Sequence, residues 1–247
     1  MPAGLAARIV TEYSAAGHLV VDPSSGDSAI VVEAARAGRR AVGVASRPRQ
    51  GSFARTCLDS MLDPSQRRLV EVVVGSAVRL PELLGSRTGT VDLVVLGGAG
   101  CRVREAEART VIAAEQQRAS NNDDEKPSRG RSGRRTGGDL ASGGALYAAS
   151  LALLRPGGLL VTVPALPYAR GGYVDGAATS VELAQQAGFG YLQHVIALRA
   201  QIRDGGFYPQ PSPQQLSELK GARDRGKPAH LLVHTDVFVF SKPAVSR

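Results

Sequence analysis

The stretch "HLVVDPSSGDSAIVVEAARAGRRAVGVA", residues 18–45, decides the fold of this 247-residue chain. It begins with the apolar run "HLVVD", which is followed by a polar turn. The next segment has its apolar residues at helical spacing and ends at Gly38. Glycine is common just after the last turn of a helix. The apolar run "AVGVA" follows after a short basic connection. This order predicts a strand, a tight turn, a helix and a second strand.

Apolar runs and helical patterns continue to alternate along the chain. Further strands are predicted at residues 69–75, 91–97 and 158–164, and helices at 51–63, 79–85 and 139–154. Strands that alternate with helices form right-handed crossovers and an open parallel sheet. The last part is predicted to hold a helix at 179–189, a strand at 191–200, a polar stretch, and a strand at 234–242.

The strand predicted at 234–242 is apolar on both faces. Val237 and Val239 alternate there with Phe238 and Phe240. Successive side chains of a strand point to opposite faces, so we expect this strand to be covered on both sides. It is expected to pair with the preceding strand and to close the sheet.

The composition suits a buried sheet in one domain, 1–247. Apolar residues make up 43% of the chain and aromatic residues only 4%, with no tryptophan, so the core must come mainly from aliphatic side chains. Near-continuous aliphatic runs are typical of parallel sheets. The net charge of +8 favours association with polyanions such as nucleic acid.

Residues 118–138 interrupt this pattern. They include six basic and three acidic residues and no apolar residue beyond Ala119, so burial cannot offset the entropy of ordering them. The segment is predicted to be a disordered insertion. Two interpretations stay open: a solvated loop, or an arm that contacts nucleic acid through its arginines, namely Arg129, Arg131, Arg134 and Arg135.

Cysteine usage and hydropathy give the expected compartment. Cys57 and Cys101 match no metal or redox spacing. No apolar run approaches the roughly 18 residues of a membrane helix, and the first residues lack the apolar core of a signal peptide. We therefore expect a soluble, cytoplasmic protein with no membrane partner and no metal site.

Several motifs together resemble a known family. They are the Asp-Pro turn at 22–23, "AARAGRRAVGV" at 34–44, "DLVV" at 92–95 and "LLRPGGLLVTV" at 153–163. The chain is similar to the class I S-adenosylmethionine (SAM)-dependent methyltransferases, and within them to the DNA (amino) methyltransferases and tRNA guanosine N-methyltransferases. Residues 197–243 also look like that family's tail. The resemblance implies an α/β, Rossmann-like doubly wound, mostly parallel sheet with a C-terminal antiparallel strand pair.

The resemblance also implies where a SAM cofactor would bind. The family's first turn reads roughly Asp-Pro-x-x-Gly-x-Gly-Thr-Thr; Asp22, Pro23 and Gly26 match it, but Ser28 stands at the second glycine. The acidic residue that ends the family's second strand is replaced by Ala45, which costs about 1.5–3 kcal/mol per lost charged hydrogen bond. The cofactor positions transferred by resemblance are Asp22, Pro23, Ser24, Gly26, Ser28, Ser46 and Ser76.

The methyl-transfer signature of the family is missing. After its fourth strand the family carries Asp, Asn or Ser, then Pro-Pro and an aromatic, which hold and stack the target base. This chain has Gly97, Gly98, Ala99 and Gly100 at those positions, and no residue is assigned to catalysis. We interpret the chain as a degenerate methyltransferase that serves as a nucleic-acid-binding or scaffold subunit, with an active relative as one partner. Methylation of a nucleic-acid base or of a small molecule stays open.

Overall fold

A computed structural model describes residues 1–25, 28–97, 138–164, 168–169, 172–173, 176–211, 213–226, 231 and 233–244. Residues 118–137 of the predicted insertion at 118–138 therefore lie outside the described residues. The helices are α1 Ala3–Tyr13, α2 Ala29–Arg36, α3 Pro48–Met61, α4 Pro64–Arg67, α5 Leu80–Leu84, α6 Gly138–Leu153, α7 Gly176–Gln186 and α8 Pro213–Asp224.

The described strands follow the predicted alternation. They are β1 Leu19–Asp22, β2 Arg40–Ala45, β3 Val70–Val74, β4 Val91–Gly97, β5 Leu154–Val163, β6 Tyr168–Ala169, β7 Gly172–Tyr173, β8 Gly190–Leu198, β9 Ala200–Arg203, β10 Gly206–Pro209 and β11 His234–Ser241. Seven of them form one sheet in the order β3-β2-β1-β4-β5-β11-β8. The pairs among β1 to β5 are parallel, and β11 is antiparallel to β5.

The aliphatic runs form the core of this sheet. All four residues of β1 are buried, and so are Val237, Phe238, Val239 and Phe240 of β11. Both faces of β11 are thus covered, which confirms the expectation drawn from its alternation. Helix α2 ends before Gly38, which adopts φ 73°, the conformation expected of a glycine that closes a helix.

A partly buried ion pair stabilises the edge of the sheet where β1 and β4 begin. Asp92 accepts hydrogen bonds from the backbone N–H of Leu19 at 2.9 Å and from Arg155 Nε at 2.6 Å. Burial by itself raises the pKa of the Asp92 carboxyl, but these hydrogen bonds and the charges of His18 and Arg155 lower it below its ordinary value. The carboxylate therefore stays ionised and links β1, β4 and β5.

The chain divides into two compact units. Unit 1 comprises Met1–Gln193 and Phe238–Arg247, and unit 2 comprises His194–Val237. Unit 1 holds β1 to β7, α1 to α7 and the part of β11 that pairs with β5. Unit 2 holds the antiparallel hairpin β9–β10 and helix α8.

No helix within the described ranges is both long and apolar enough to cross a membrane.

Several elements differ from the sequence-based expectation. Helix α1 was not predicted, and β9, β10 and α8 lie where only a polar stretch was expected. The hairpin turns at Asp204 and Gly205, with φ 49° and 74°, which is the chemistry of a two-residue hairpin turn. Strand β5 starts at Leu154 and contains the predicted "RPGG" turn as a bulge: Val91 pairs with Leu154, and Leu93 with Leu159.

Candidate functional site

The carboxyl ends of β1, β2 and β4 lie side by side at one edge of the sheet. Strand β1 pairs with both β2 and β4. Open α/β sheets bind ligands at this edge, next to the strand where the chain order reverses. Here the order reverses between β1 and β4, so the residues that follow these two strands and β2 form the candidate site.

The turn after β1 is held by its own side chains. The Asp22 Oδ1 atom accepts a hydrogen bond from the Ser24 backbone N–H at 3.0 Å. Ser24 Oγ donates to the Gly97 carbonyl oxygen at 3.0 Å, which fastens the turn to the end of β4. Pro23 is buried beside them. Asp22 thus has a structural role in the turn.

Ser25 packs the same turn against β2. Its backbone N–H donates to the Val44 carbonyl oxygen at 3.0 Å. A Cβ atom at Gly43 would lie 2.7 Å from Ser25 Oγ and 2.9 Å from Ser25 Cβ, closer than such atoms approach. A glycine in the middle of β2 is therefore needed because the turn crosses this strand at close range.

Ser28 keeps the backbone of a glycine. It precedes α2 with φ 55° and ψ 9°, the left-handed conformation that glycine adopts without strain and serine does not. Its side chain is 1% exposed and makes no capping hydrogen bond to α2. Its hydroxyl accepts a long hydrogen bond from Ser25 Oγ at 3.5 Å. Position 28 thus has the backbone conformation that glycine favours, while its neighbours Gly26 and Asp27 lie outside the described residues.

The end of β2 offers no carboxylate. Ala45 is 2% exposed and presents a methyl group where the resembled family has its ribose-binding acid. The hydroxyl of the exposed Ser46 donates to Gln50 Oε1 at 2.7 Å. Arg47, also exposed, makes the local charge positive. A ligand with ribose hydroxyls would find no strong acceptor on this strand end.

The end of β3 contributes only one exposed hydroxyl. Ser76 opens a short turn of 3₁₀ helix and makes no side-chain hydrogen bond to cap it. In the resembled family the corresponding residue is an aspartate that bonds the adenine amino group. A serine hydroxyl accepts a weaker hydrogen bond than an ionised carboxylate does.

The end of β4 is closed by an apolar contact. Gly97 aligns with the polar side chain that orients the target amino group in the resembled family. A Cβ atom at Gly97 would overlap the methyl carbon Cε of Met1. The Met1 side chain thus covers the position from which a catalytic side chain would project, whereas Gly98, Ala99 and Gly100 lie outside the described residues.

These strand ends lack the polar side chains that the resemblance leads one to expect of a SAM site. Ser28 has the left-handed backbone that the second glycine of the resembled turn would supply. Among the described residues that end β1 to β5, Asp22 is the only acidic one, and its Oδ1 already accepts from Ser24. The residues present therefore do not fit SAM in the way the resemblance requires.

Other polar side chains lie outside the strand-end site. In unit 2, His194 Nε2 lies 2.8 Å from Asp236 Oδ1, and His234 Nε2 lies 3.9 Å from Asp236 Oδ2. The nearer pairing with His194 could not be read from the sequence, because 42 positions separate the two residues. Within the described ranges, no three His, Cys, Asp or Glu side chains could hold a metal ion. The arginines at 129, 131, 134 and 135 lie outside those ranges.

Comparisons with known proteins place the fold. No protein-family model matches the chain, and no curated protein matches its sequence. Among solved structures, the 4+2 cyclase SpnF gives a TM-score of 0.58 at 14% identity, covering 98% of this chain and 81% of that one. A geranyl diphosphate methyltransferase in complex with SAM gives 0.55 at 11% identity, covering 97% and 85%. A SAM-dependent methyltransferase from Methanosarcina mazei gives 0.56 at 12% identity, covering 96% and 97%.

The chain has the class I methyltransferase fold. The predicted fold class is confirmed, since the sheet order, the antiparallel pairing of β11 with β5 and these structural neighbours agree. Identities of 11–14% establish the fold alone. The likeness to DNA (amino) methyltransferases stays a prediction from the sequence motifs. At the candidate site, the described ends of β2, β3 and β4 carry no acidic side chain.

Proposed function

We propose that the chain is a SAM-dependent-methyltransferase-like protein that has lost methyl transfer and acts as a nucleic-acid-binding or scaffold subunit. One observation carries the proposal: the strand ends that would hold the ribose and the target amino group present the methyl groups of Ala45 and Met1. Each lost charged hydrogen bond weakens cofactor binding by about one to two decades. The fold is retained while its polar ligands are replaced.

Non-catalytic use agrees with the rest of the molecule. The turn after β1 is fixed by hydrogen bonds to β2 and β4, so it stabilises the sheet without any ligand. The neighbour SpnF is named a cyclase, which supports the view that this fold serves reactions other than methyl transfer. The net charge of +8 supports a polyanionic partner.

Methylation of a small molecule is the second candidate. It needs no Pro-Pro motif after β4, and one structural neighbour is a geranyl diphosphate methyltransferase in complex with SAM. This candidate requires SAM affinity and no affinity for nucleic acid. Methylation of a nucleic-acid base requires both.

Calorimetric titration with SAM and S-adenosylhomocysteine separates these functions. We expect either no heat or a dissociation constant weaker than about 1 mM, which corresponds to roughly −4 kcal/mol. The protein sample must melt cooperatively, so that the absence of heat reports on a folded chain. A dissociation constant below about 10 μM would overturn the proposal and direct the work to substrate screening.

A further inference from the structure

One face of the β9–β10 hairpin in unit 2 carries polar and basic side chains around a tyrosine. Strand β9 pairs with β10 in antiparallel register, so that Gln201 lies opposite Tyr208 and Arg203 lies opposite Gly206. Successive side chains of a strand point to opposite faces, so the side chains of Gln201, Arg203 and Tyr208 point the same way. Tyr208 and Arg203 are therefore neighbours on one surface.

The same register continues one step beyond the two strands. The N–H of Gln210 donates to the Arg199 carbonyl oxygen at 3.0 Å, which places these two residues opposite each other. Arg199 is two positions from Gln201 and so shares its face. The residues that define the basic face of the hairpin are Arg199, Gln201, Arg203, Tyr208 and Gln210.

The ring of Tyr208 lies open on the basic face. A Cβ atom at Gly206 would lie 3.4 Å from Cε2 and 3.8 Å from Cζ of Tyr208, so one side of the ring rests against the backbone of this glycine. Tyr208 is 52% exposed, so the rest of the ring faces solvent. An exposed aromatic ring is a platform on which a nucleic-acid base can stack.

Two cations flank this ring. Arg199 and Arg203 are the diagonal neighbours of Tyr208 across the strand pair, each at a Cα separation of about 7–8 Å. They lie about 13 Å apart along the chain, at roughly 3.3 Å per residue. Neither arginine side chain makes an ion pair within the described residues, whereas Arg87 is paired with Glu71. Both cations are therefore available to contact an anion.

The arrangement favours single-stranded nucleic acid over other anionic partners. Bases stack on aromatic side chains when they are unpaired and splayed out. A membrane surface would require large apolar side chains on the same face as the cations, but Ile202 and Phe207 point to the opposite face. An acidic peptide would contact the arginines without needing the ring. Asp204, in the turn, is the only acidic residue between positions 199 and 210, so this segment is basic.

We propose that the basic face binds single-stranded nucleic acid, with a base stacked on Tyr208 and backbone phosphates contacted by Arg199 and Arg203. The amides of Gln201 and Gln210 lie on the same face and can donate hydrogen bonds to base edges or phosphates. The inference rests on the nucleic-acid-binding form of the proposed function, for which it names a surface and a ligand class. It uses no residue of the strand-end site or of the predicted insertion.

Fluorescence anisotropy of the full chain with labelled single strands of about 15 nucleotides, DNA and RNA in turn, tests the stacking contact. We expect Tyr208→Ala to weaken binding at least about 5-fold, the effect of losing one stacked base, and Tyr208→Phe to keep the affinity within about 2-fold. Phe207→Ala is the matched control, because Phe207 is the neighbouring exposed aromatic on the opposite face, and it should leave binding unchanged. Equal losses in Tyr208→Ala and Phe207→Ala, or in Tyr208→Ala and Tyr208→Phe, contradict stacking on this face.

The arginines supply a second test that leaves the ring in place. Replacing Arg199 and Arg203 with glutamine should weaken binding and make the slope of log affinity against log salt shallower by about 1.4, since each phosphate contact on a single strand contributes about 0.7. The control replaces Arg79 and Arg87, which are paired with acidic residues in unit 1, and so alters the net charge equally. Equal slopes for the two double variants overturn the proposal.

The choice of oligonucleotide separates this inference from the proposed function. A wild-type chain that binds duplex DNA but no single strand overturns the inference and leaves the nucleic-acid-binding role in place. A chain that binds neither overturns the inference together with that role, and the scaffold role is left. Single-strand affinity that none of these substitutions alters retains nucleic-acid binding but removes the basic face from it.

Discussion

At the scale of single residues, the strand-end site combines a left-handed backbone at Ser28 with uncharged side chains at the ends of β2, β3 and β4. Ser28 adopts φ 55° although serine gains nothing from that conformation, and its hydroxyl makes no capping hydrogen bond. The resemblance identified position 28 as the second glycine of a cofactor turn, but the sequence could not show that the glycine conformation persists. The shape of the turn follows from its hydrogen bonds to β2 and β4 rather than from the residue at position 28.

Ser28→Gly should therefore stabilise the protein. Relief of the left-handed strain contributes about 1–2 kcal/mol, and the greater freedom of glycine in the unfolded chain removes roughly 0.5–1 kcal/mol of that. We expect a net rise of about 0.5–1 kcal/mol in the free energy of unfolding, measured by urea denaturation. Ser28→Ala is the control, because it removes the hydroxyl but keeps the Cβ atom, and it should show no such gain. Equal effects of the two changes would mean that φ at position 28 is not strained.

At the scale of elements, the apolar runs predicted β1 to β5, and the alternation of valine and phenylalanine predicted the burial of β11. Helix α1 was not predicted, although its buried residues Ala6, Ile9 and Val10 follow a helical spacing. The β9–β10 hairpin was missed although Asp204-Gly205 is a turn signal. Contacts of the site such as Ser24–Gly97 could not be predicted, since 73 positions separate the partners and only the sheet brings them together.

The Asp92 carboxylate connects three of these strands, and its removal should weaken the sheet. Asp92→Asn keeps an acceptor for Leu19 but loses the charged hydrogen bond from Arg155, so we expect a loss of about 1–3 kcal/mol of unfolding free energy at pH 7. Asp59→Asn is the control, because it breaks an exposed ion pair with Arg67 and should cost under about 1 kcal/mol.

The pH dependence of the unfolding free energy tests the same contribution of Asp92. Folding lowers the pKa of Asp92, so its contribution is complete above the ordinary carboxyl value of 3.8 and is lost as the pH falls through the lower folded pKa. Thermal melting between pH 2 and pH 7 should therefore show a gentler acid decline for Asp92→Asn than for the wild type. Parallel curves would mean that the carboxylate carries no such linkage.

At the scale of the whole molecule, the net charge of +8 and the arginines of residues 118–138 belong to the proposed association with nucleic acid. Charge alone does not establish binding, because basic segments are often only solvated. The measurable distinction is the dependence on salt, since each phosphate contact releases counterions from the polyanion.

Replacing Arg129, Arg131, Arg134 and Arg135 with glutamine tests whether this segment contacts phosphates. We expect weaker DNA binding and a slope of log affinity against log salt that is shallower by up to about 3–4. A control variant changes four arginines that are already paired with acidic residues, namely Arg36, Arg67, Arg79 and Arg87, and so alters the net charge equally. Fluorescence anisotropy at several salt concentrations should show a larger change for the first variant. Equal slopes would remove the segment from the interface.

The place of β11 in the sheet also bears on how the chain is synthesised. Strand β11 lies between β5 and β8, yet it is the last of the sheet's strands to leave the ribosome. The five parallel strands can assemble early, but the apolar edge of β5 then waits for residues 238–241 while about 75 further residues are added. A nascent chain that stalls in this interval exposes an unpaired aliphatic edge. We therefore expect any dependence on chaperones to be greatest in the interval before residue 238 is synthesised.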